Sequence, residues 1–226
     1  MDSKKTFTAA LSGGLTPGSL YSLLGGDTLS RPDIPWEKTF FFWGDERPVP
    51  PDHPESNYRL AYQAWLSKIP VPLTNLHRIR GENPDPIAAA KDYEQEIKDF
   101  FHLPAGEFPS FDLVLLGMGR DGHTASLFPG SEALYEKERL VAANWVGPIR
   151  SYRITLTLPV INNAARIVFL VHGEEKAGTL QKVLQGDFQG EPLPAQLVRP
   201  KKGKVLWLVD EKAARFLHRG NTNQRY

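Results

Sequence analysis

Short β-rich apolar runs alternate with segments of helical periodicity along most of this chain, and that alternation restricts the possible folds more than any other feature. Phe7–Leu11, Thr39–Trp43, Leu113–Leu116, Ile167–Val171 and Lys204–Val209 each read as strands. Joining parallel strands requires a crossover of helical length, and segments with apolar residues three or four apart follow most of these runs. The expectation is therefore an α/β protein, a Rossmann-like three-layer α/β/α sandwich with a largely parallel sheet. No linker rich in Gly, Ser or Pro divides the 226 residues, so 1–226 is expected to form a single domain with a polar, frayed tail from about Gly220.

The run Leu113-Val114-Leu115-Leu116 stops at a loop of three glycines that carries Asp121 and His123. Ligands of open α/β sheets sit beyond the carboxyl ends of strands, so an acid and an imidazole at this place form a site candidate. Taken alone, the same residues also suit an Asp-Gly turn with an incidental histidine. The loop spells G-x-G-x-x-G from Gly117 to Gly122, the outline of a dinucleotide-binding turn. That motif needs a full helix next and then a strand ending in an acid. Pro129-Gly130 interrupts within two turns and the run Leu140–Ala143 ends in Asn144, so NAD binding is rejected.

Other strand ends are also polar. Ser12-Gly13-Gly14-Leu15-Thr16-Pro17 follows the first run, with Thr16 as N-cap and Pro17 as first residue of a helix that Gly25-Gly26 would end. Exposed amides at a helix N-terminus make a phosphate cradle. Thr39–Trp43 ends in Gly44-Asp45-Glu46-Arg47, which by itself reads as a solvated loop. Ser56 suits the N-cap of a helix reaching Trp65, Leu76–Ile79 a short strand, and Asp85-Pro86 the start of a structural helix through Ile87, Ala90, Ile97 and Phe101. Tyr152–Leu158 alternates, with Ile154, Leu156 and Leu158 on one face and Arg153, Thr155 and Thr157 on the other, as in a half-buried strand. Pro159 ends that strand, and Val160–Ala164 reads as one helical turn. Lys176 falls in the first turn of a helix running to Leu184, the unfavourable end of the dipole for a cation, which a bound anion would ease. Asp210 reads as the N-cap of a closing helix through Ala213, Ala214 and Leu217.

As a whole, Gly-Met-Gly-x-Asp-Gly-His-Thr-Ala-Ser-Leu-Phe-Pro-Gly resembles the signature of the 6-phosphogluconolactonase family, within the wider group that includes glucosamine-6-phosphate deaminases. Ser-Gly-Gly-x-Thr-Pro from Ser12, Gly-Asp-Glu-Arg from Gly44 with Val49-Pro50 and Ser56-Asn57, Arg-Ile-Thr-Leu-Thr from Arg153, Leu193-Pro-Ala and Trp207–Ala214 carry the resemblance from about Phe7 to Leu217. Family members usually begin with a helix before the first strand. Six residues precede Phe7, so that helix is expected to be absent.

The resemblance implies hydrolysis of 6-phospho-D-glucono-1,5-lactone to 6-phosphogluconate in the oxidative pentose phosphate pathway. A single histidine can serve as base and then acid near neutral pH, which assigns His123 to catalysis with Asp121 orienting it. Arg47 would support the site electrostatically, and Asp45 would touch a sugar hydroxyl or Arg47. Ser12, the amides of Gly13 and Gly14, Arg153 and Lys176 would hold the phosphate.

Net charge of +1 implies no polyanionic partner, and Lys201-Lys202-Gly-Lys204 reads as a solvated turn. The expected partner is a small phosphosugar lactone, with neither nucleic acid nor membrane, and the chain is expected to act as a monomer or weak homodimer. The lack of cysteine fits a cytoplasmic location and excludes disulfides and thiolate chemistry. No cofactor or metal is expected, since His123 has no partner at ligand spacing, and no Gly-x-Ser-x-Gly elbow points to a serine esterase. Two alternatives compete: an amino-sugar-phosphate deaminase-isomerase and a non-enzymatic sugar-phosphate sensor. Deaminases of the group carry a glutamate five positions after the histidine, where this chain has Phe128, and a sensor should carry a basic DNA-binding segment.

Overall fold

The computed structural model describes residues 6–26, 34–186 and 191–218, so the expectations for a leading helix and for the tail from Gly220 lie outside the described residues. Strands β1 (Phe7–Leu11), β2 (Thr39–Trp43), β4 (Leu76–His77), β5 (Leu113–Gly117), β8 (Arg166–Val171) and β9 (Lys204–Val209) form one sheet in the order β4-β2-β1-β5-β8-β9. Every neighbouring pair is parallel. Its central strands are apolar along their length because both faces are covered. Phe41 meets Trp65 at 5.2 Å on one face, where Tyr21 of helix α1 (Leu15–Gly26) stacks on the same indole. Phe42 points the other way, into Phe100 of α3 (Pro86–Phe101) and Phe111. Helices on both faces of a parallel sheet give the three layers that strand–helix alternation demands.

A second, antiparallel sheet was not foreseen. Strands β3 (Asp45–Glu46), β6 (Val141–Val146) and β7 (Ser151–Leu156) pair in the order β3-β7-β6, with Asp45 opposite Thr155 and Glu46 opposite Ile154. The expected solvated loop after β2 is thus a short buried strand, entered at Gly44, whose amide donates to the Leu11 carbonyl and whose carbonyl accepts from Leu156. It also explains why β7 departs from half-burial: Thr155 and Thr157 are fully buried, their hydroxyls donating to the carbonyls of Leu156 and Arg139. The alternation was real, but on its polar face Thr155 and Thr157 meet other protein rather than water, and Arg153 stays half-exposed.

Capping residues met expectation where a side chain bonds locally. Ser56 accepts from the Arg59 amide at the head of α2 (Asn57–Ala64), and Asp85 accepts from Ile87 at the head of α3. Several boundaries differ: the strand expected over Leu76–Ile79 is only Leu76–His77, and Lys176, expected in the first turn of a helix, precedes α5 (Ala177–Gln185). Helix α1 begins at Leu15, so Thr16 and Pro17 lie inside its first turn, and Gly25-Gly26 are still helical. The strand expected to Leu158 ends at Leu156, and Pro159 instead sits in the first turn of α4 (Leu158–Asn162). Asp210 accepts from the Ala213 amide as a cap would, yet turns rather than a helix follow.

Candidate active site

From β1 the chain winds to β2 and β4 on one side, then returns to place β5, β8 and β9 on the other. The sheet therefore changes direction between β1 and β5, and the loops after those two strands must separate there, which opens a crevice at the carboxyl edge. A cavity of about 400 Å³ occupies it. Ser12, Gly13, Gly14, Asp45, Arg47, His123, Arg153 and Lys176 all line it, and Asp121 stands behind His123. Residues spread from 12 to 176 in sequence are brought to one cleft.

Nδ1 of His123 lies 2.5 Å from Oδ1 of Asp121, which leaves Nε2 free to act. Partial burial pushes the Asp121 carboxyl up, but the hydrogen bonds and charge of His123 outweigh it and hold the group below the usual carboxylate range. The loop is kept tight by the Gly119 amide on the His123 carbonyl at 2.8 Å and the Gly122 amide on the Gly119 carbonyl at 3.1 Å. Only glycine fits at 119, since a Cβ there would stand 2.1 Å from His123 Nδ1 and 2.5 Å from Asp121 Oδ1. Phe128 stacks on the imidazole with centroids 4.3 Å apart, fixing the ring plane.

The loop after β1 is pinned from below. Tyr21 donates to the Ser12 carbonyl at 2.8 Å and accepts the Ser12 amide at 3.1 Å. Among the described residues the amides of Gly13 and Gly14 have no acceptor, and the buried Ser12 hydroxyl has no partner. Such groups at a helix N-terminus suit an anion. Lys176, preceding α5 (Ala177–Gln185), donates to the Met118 carbonyl at 2.7 Å, which accounts for part of the cation's placement without an anion. Desolvation by burial lowers the affinity of both Lys176 and Arg153 for their protons, and the nearby Arg47 adds to the effect at Arg153.

Asp45 does not pair with Arg47. Its carboxylate accepts from the Ser126 hydroxyl at 2.7 Å and from the Asn57 side chain at 3.2 Å, while Arg47 donates to the Glu55 carbonyl. Ser126 and Asn57 were missed as site residues. Asn57 was visible only as part of a quoted pattern, and Ser126 only as one small residue of the long loop. The turn carrying Ser126 is closed by mutual Thr124–Leu127 backbone bonds and holds Ala125 at φ 46°, a left-handed conformation uncommon for a residue with a Cβ. Glu46, placed by sequence in a charged loop cluster, is a buried anchor. It accepts the amides of Arg47, Asn57 and Tyr58 and the Ser56 hydroxyl, and burial still raises its pKa above the ordinary value.

Over residues 1–207 the chain matches the family described as Glucosamine-6-phosphate isomerases/6-phosphogluconolactonase. It belongs to that family. Among relatives in the lactonase branch, the 6-phosphogluconolactonase of Synechocystis is 43% identical over 210 residues, covering 93% of this chain and 84% of the relative. The human 6-phosphogluconolactonase is 41% identical, covering 90% and 80%. The solved 6-phosphogluconolactonase from Trypanosoma cruzi superposes with a TM-score of 0.84 at 34% identity, over 95% of this chain and 85% of that one. A monomeric glucosamine-6-phosphate deaminase shares the fold with a TM-score of 0.76 at 22% identity. These likenesses make the chain an enzyme of the 6-phosphogluconolactonase branch, and no helix among its described residues is long and apolar enough to cross a membrane.

Proposed function

We propose that this chain hydrolyses 6-phospho-D-glucono-1,5-lactone to 6-phosphogluconate, with His123 as the base that activates water. The observation that carries the reading is the 2.5 Å His123–Asp121 pair at a cleft that is also lined by the unpaired amides of Gly13 and Gly14 and the buried Ser12 hydroxyl. Asp121 accepts the Nδ1 proton, so Nε2 carries the lone pair that takes a proton from water as its oxygen attacks the lactone carbonyl. The ionised Asp121 stabilises the imidazolium that results. That imidazolium then donates from Nε2 to the departing ring oxygen, which completes hydrolysis on one side chain.

The phosphate sits on the Gly13 and Gly14 amides and the Ser12 hydroxyl, with Arg153 and Lys176 supplying charge. Anchoring this remote group orients the carbonyl toward His123. Arg47 lends positive potential to the developing oxyanion, and Asp45, held by Ser126 and Asn57, accepts a sugar hydroxyl. Phe128 favours lactone over amino sugar: a phenyl ring cannot accept a proton or hydrogen bond to assist ring opening, whereas a lactone arrives with its carbonyl already electrophilic. The reading extends to a single catalytic domain over 1–226, a cytoplasmic location consistent with the lack of cysteine, and action as a monomer or weak homodimer.

His123→Ala tests the assignment. Loss of phospholactone above spontaneous hydrolysis should fall in kcat by about two to four orders of magnitude, with KM and the melting temperature nearly unchanged. A folded variant with near-parent turnover sinks it.

A further inference from the structure

A second imidazole–carboxylate pair lines the same cleft. His172, the residue after β8, contributes to the cavity wall together with Lys176, Gly13 and Gly14. Its Nδ1 stands 3.1 Å from Oδ2 of Asp210, the residue after β9. The other oxygen, Oδ1, accepts the amides of Gly173 at 3.1 Å and Ala213 at 2.9 Å. Asp210 is therefore built as a fixed acceptor. The Ala213 amide, with the Gly173 amide and the charges of His172 and Lys212, holds its carboxyl below the ordinary range against a smaller opposing effect of burial. Asp210 thus stands at ion-pair distance from the ring, where a positive charge on His172 would be met by a fixed negative one.

We propose that His172 is a further ligand of the substrate's phosphate, engaging it as imidazolium, when the ring carries a charge to set against the anion. The inference rests on the phosphate-cradle reading of this cleft. Other groups around His172 bear on its charge. Glu174, Glu175 and Lys176 follow on its own turn, Asp210 and Lys212 come from the segment after β9, and the β5 loop brings His123 to the same cleft, with Arg120 and Asp121 acting on Lys176. Glu174 is engaged by Arg215 and Lys176 by the Met118 carbonyl, whereas Asp210 is the carboxylate at ion-pair distance from the ring itself.

The test uses sulfate, whose charge is constant over the range, as a competitor of phospholactone hydrolysis at fixed ionic strength. In the parent protein its inhibition constant should weaken about tenfold from about pH 5.5 to about pH 8.5, as a charge-assisted hydrogen bond is lost. His172→Gln should flatten that profile to within about twofold, at the weak level of the parent at high pH, with kcat unchanged. A parent-like slope surviving in His172→Gln overturns the inference, as does a variant that loses kcat rather than sulfate affinity. If sulfate fails to compete at any pH while lactone is still hydrolysed, the phosphate-cradle reading itself falls and takes the inference with it.

Discussion

Gly119→Ala is the most incisive perturbation this site offers, because it adds one methyl group directly against the catalytic pair. The new carbon would stand 2.1 Å from His123 Nδ1, where ordinary contact begins at 3.4 Å, so the ring must retreat by about 1.3 Å. Asp121 Oδ1, 2.5 Å from the same carbon, must also move. Retreat of the backbone is resisted by the two loop bonds that end on Gly119, its amide to His123 and its carbonyl from Gly122. A misplacement near 1 Å costs about 100-fold in rate, roughly 2.7 kcal/mol of barrier. KM should hold, since the proposed phosphate cradle is built on the loop after β1 and not on the loop that carries Gly119. Initial rates of phospholactone loss, corrected for spontaneous hydrolysis, give both constants. Gly178→Ala is the control: open space surrounds that position inside α5, so it should keep full turnover and gain about 0.5–1 kcal/mol of stability. A folded Gly119→Ala enzyme within about threefold of parent kcat would refute the claim that this pair, in this geometry, performs the chemistry.

Arg153→Ala and Lys176→Ala should each raise KM for the phospholactone about tenfold or more while sparing kcat, and unphosphorylated gluconolactone should be a poor substrate; equal use of both lactones contradicts the cradle. Glucosamine 6-phosphate should release no ammonia above background in protein free of host enzymes, and turnover comparable to the lactonase rate would reverse the assignment. The Glu136 carboxyl, though partial burial raises its pKa, is held at about 2 by the Glu138 and Arg139 amides and the Arg139 guanidinium. Its folded value lies below its unfolded one, so its stabilisation is present above about pH 4.5 and lost as pH falls toward 2. Glu136→Gln should therefore lower thermal stability by about 1 kcal/mol at neutral pH, the exposed partner screening the rest, and the difference from parent should vanish in acid; a constant difference across pH contradicts it.

The parallel sheet was legible because its strands are continuous apolar runs, a signal that burial on both faces imposes on sequence and that leaves little room for another reading. The β5 loop was legible because Gly119 and the Asp121–His123 spacing are consequences of one steric and electrostatic arrangement. What escaped was structure made by pairing across long separations. Asp45-Glu46 is too short and too charged to announce a strand, and only β7, over a hundred residues later, makes it one. Glu46 looked solvated for the same reason: three of its four donors, the Ser56 hydroxyl and the Asn57 and Tyr58 amides, come from the head of α2, ten or more residues away, and only the Arg47 amide is a neighbour. The Asp45–Ser126 bond joins residues 81 apart and could be read only once the fold brought the two loops together.

Gly44, where the chain leaves the parallel sheet for the antiparallel one, divides the enzyme's labour between two supports. The imidazole rides on the loop after β5, whereas Arg153 rides on β7 of the small sheet, whose β6–β7 turn also brings Ile149 to the cleft wall. Changes in that hairpin can thus alter the shape of the cleft toward the proposed sugar ligand while the proposed His123–Asp121 proton-transfer pair keeps its own scaffold. Lineages drifting toward different lactones, or an engineer seeking the same, would have the hairpin as a separable region to vary, with the Ser126–Asp45 tie marking how far the variation can extend before the two halves come apart.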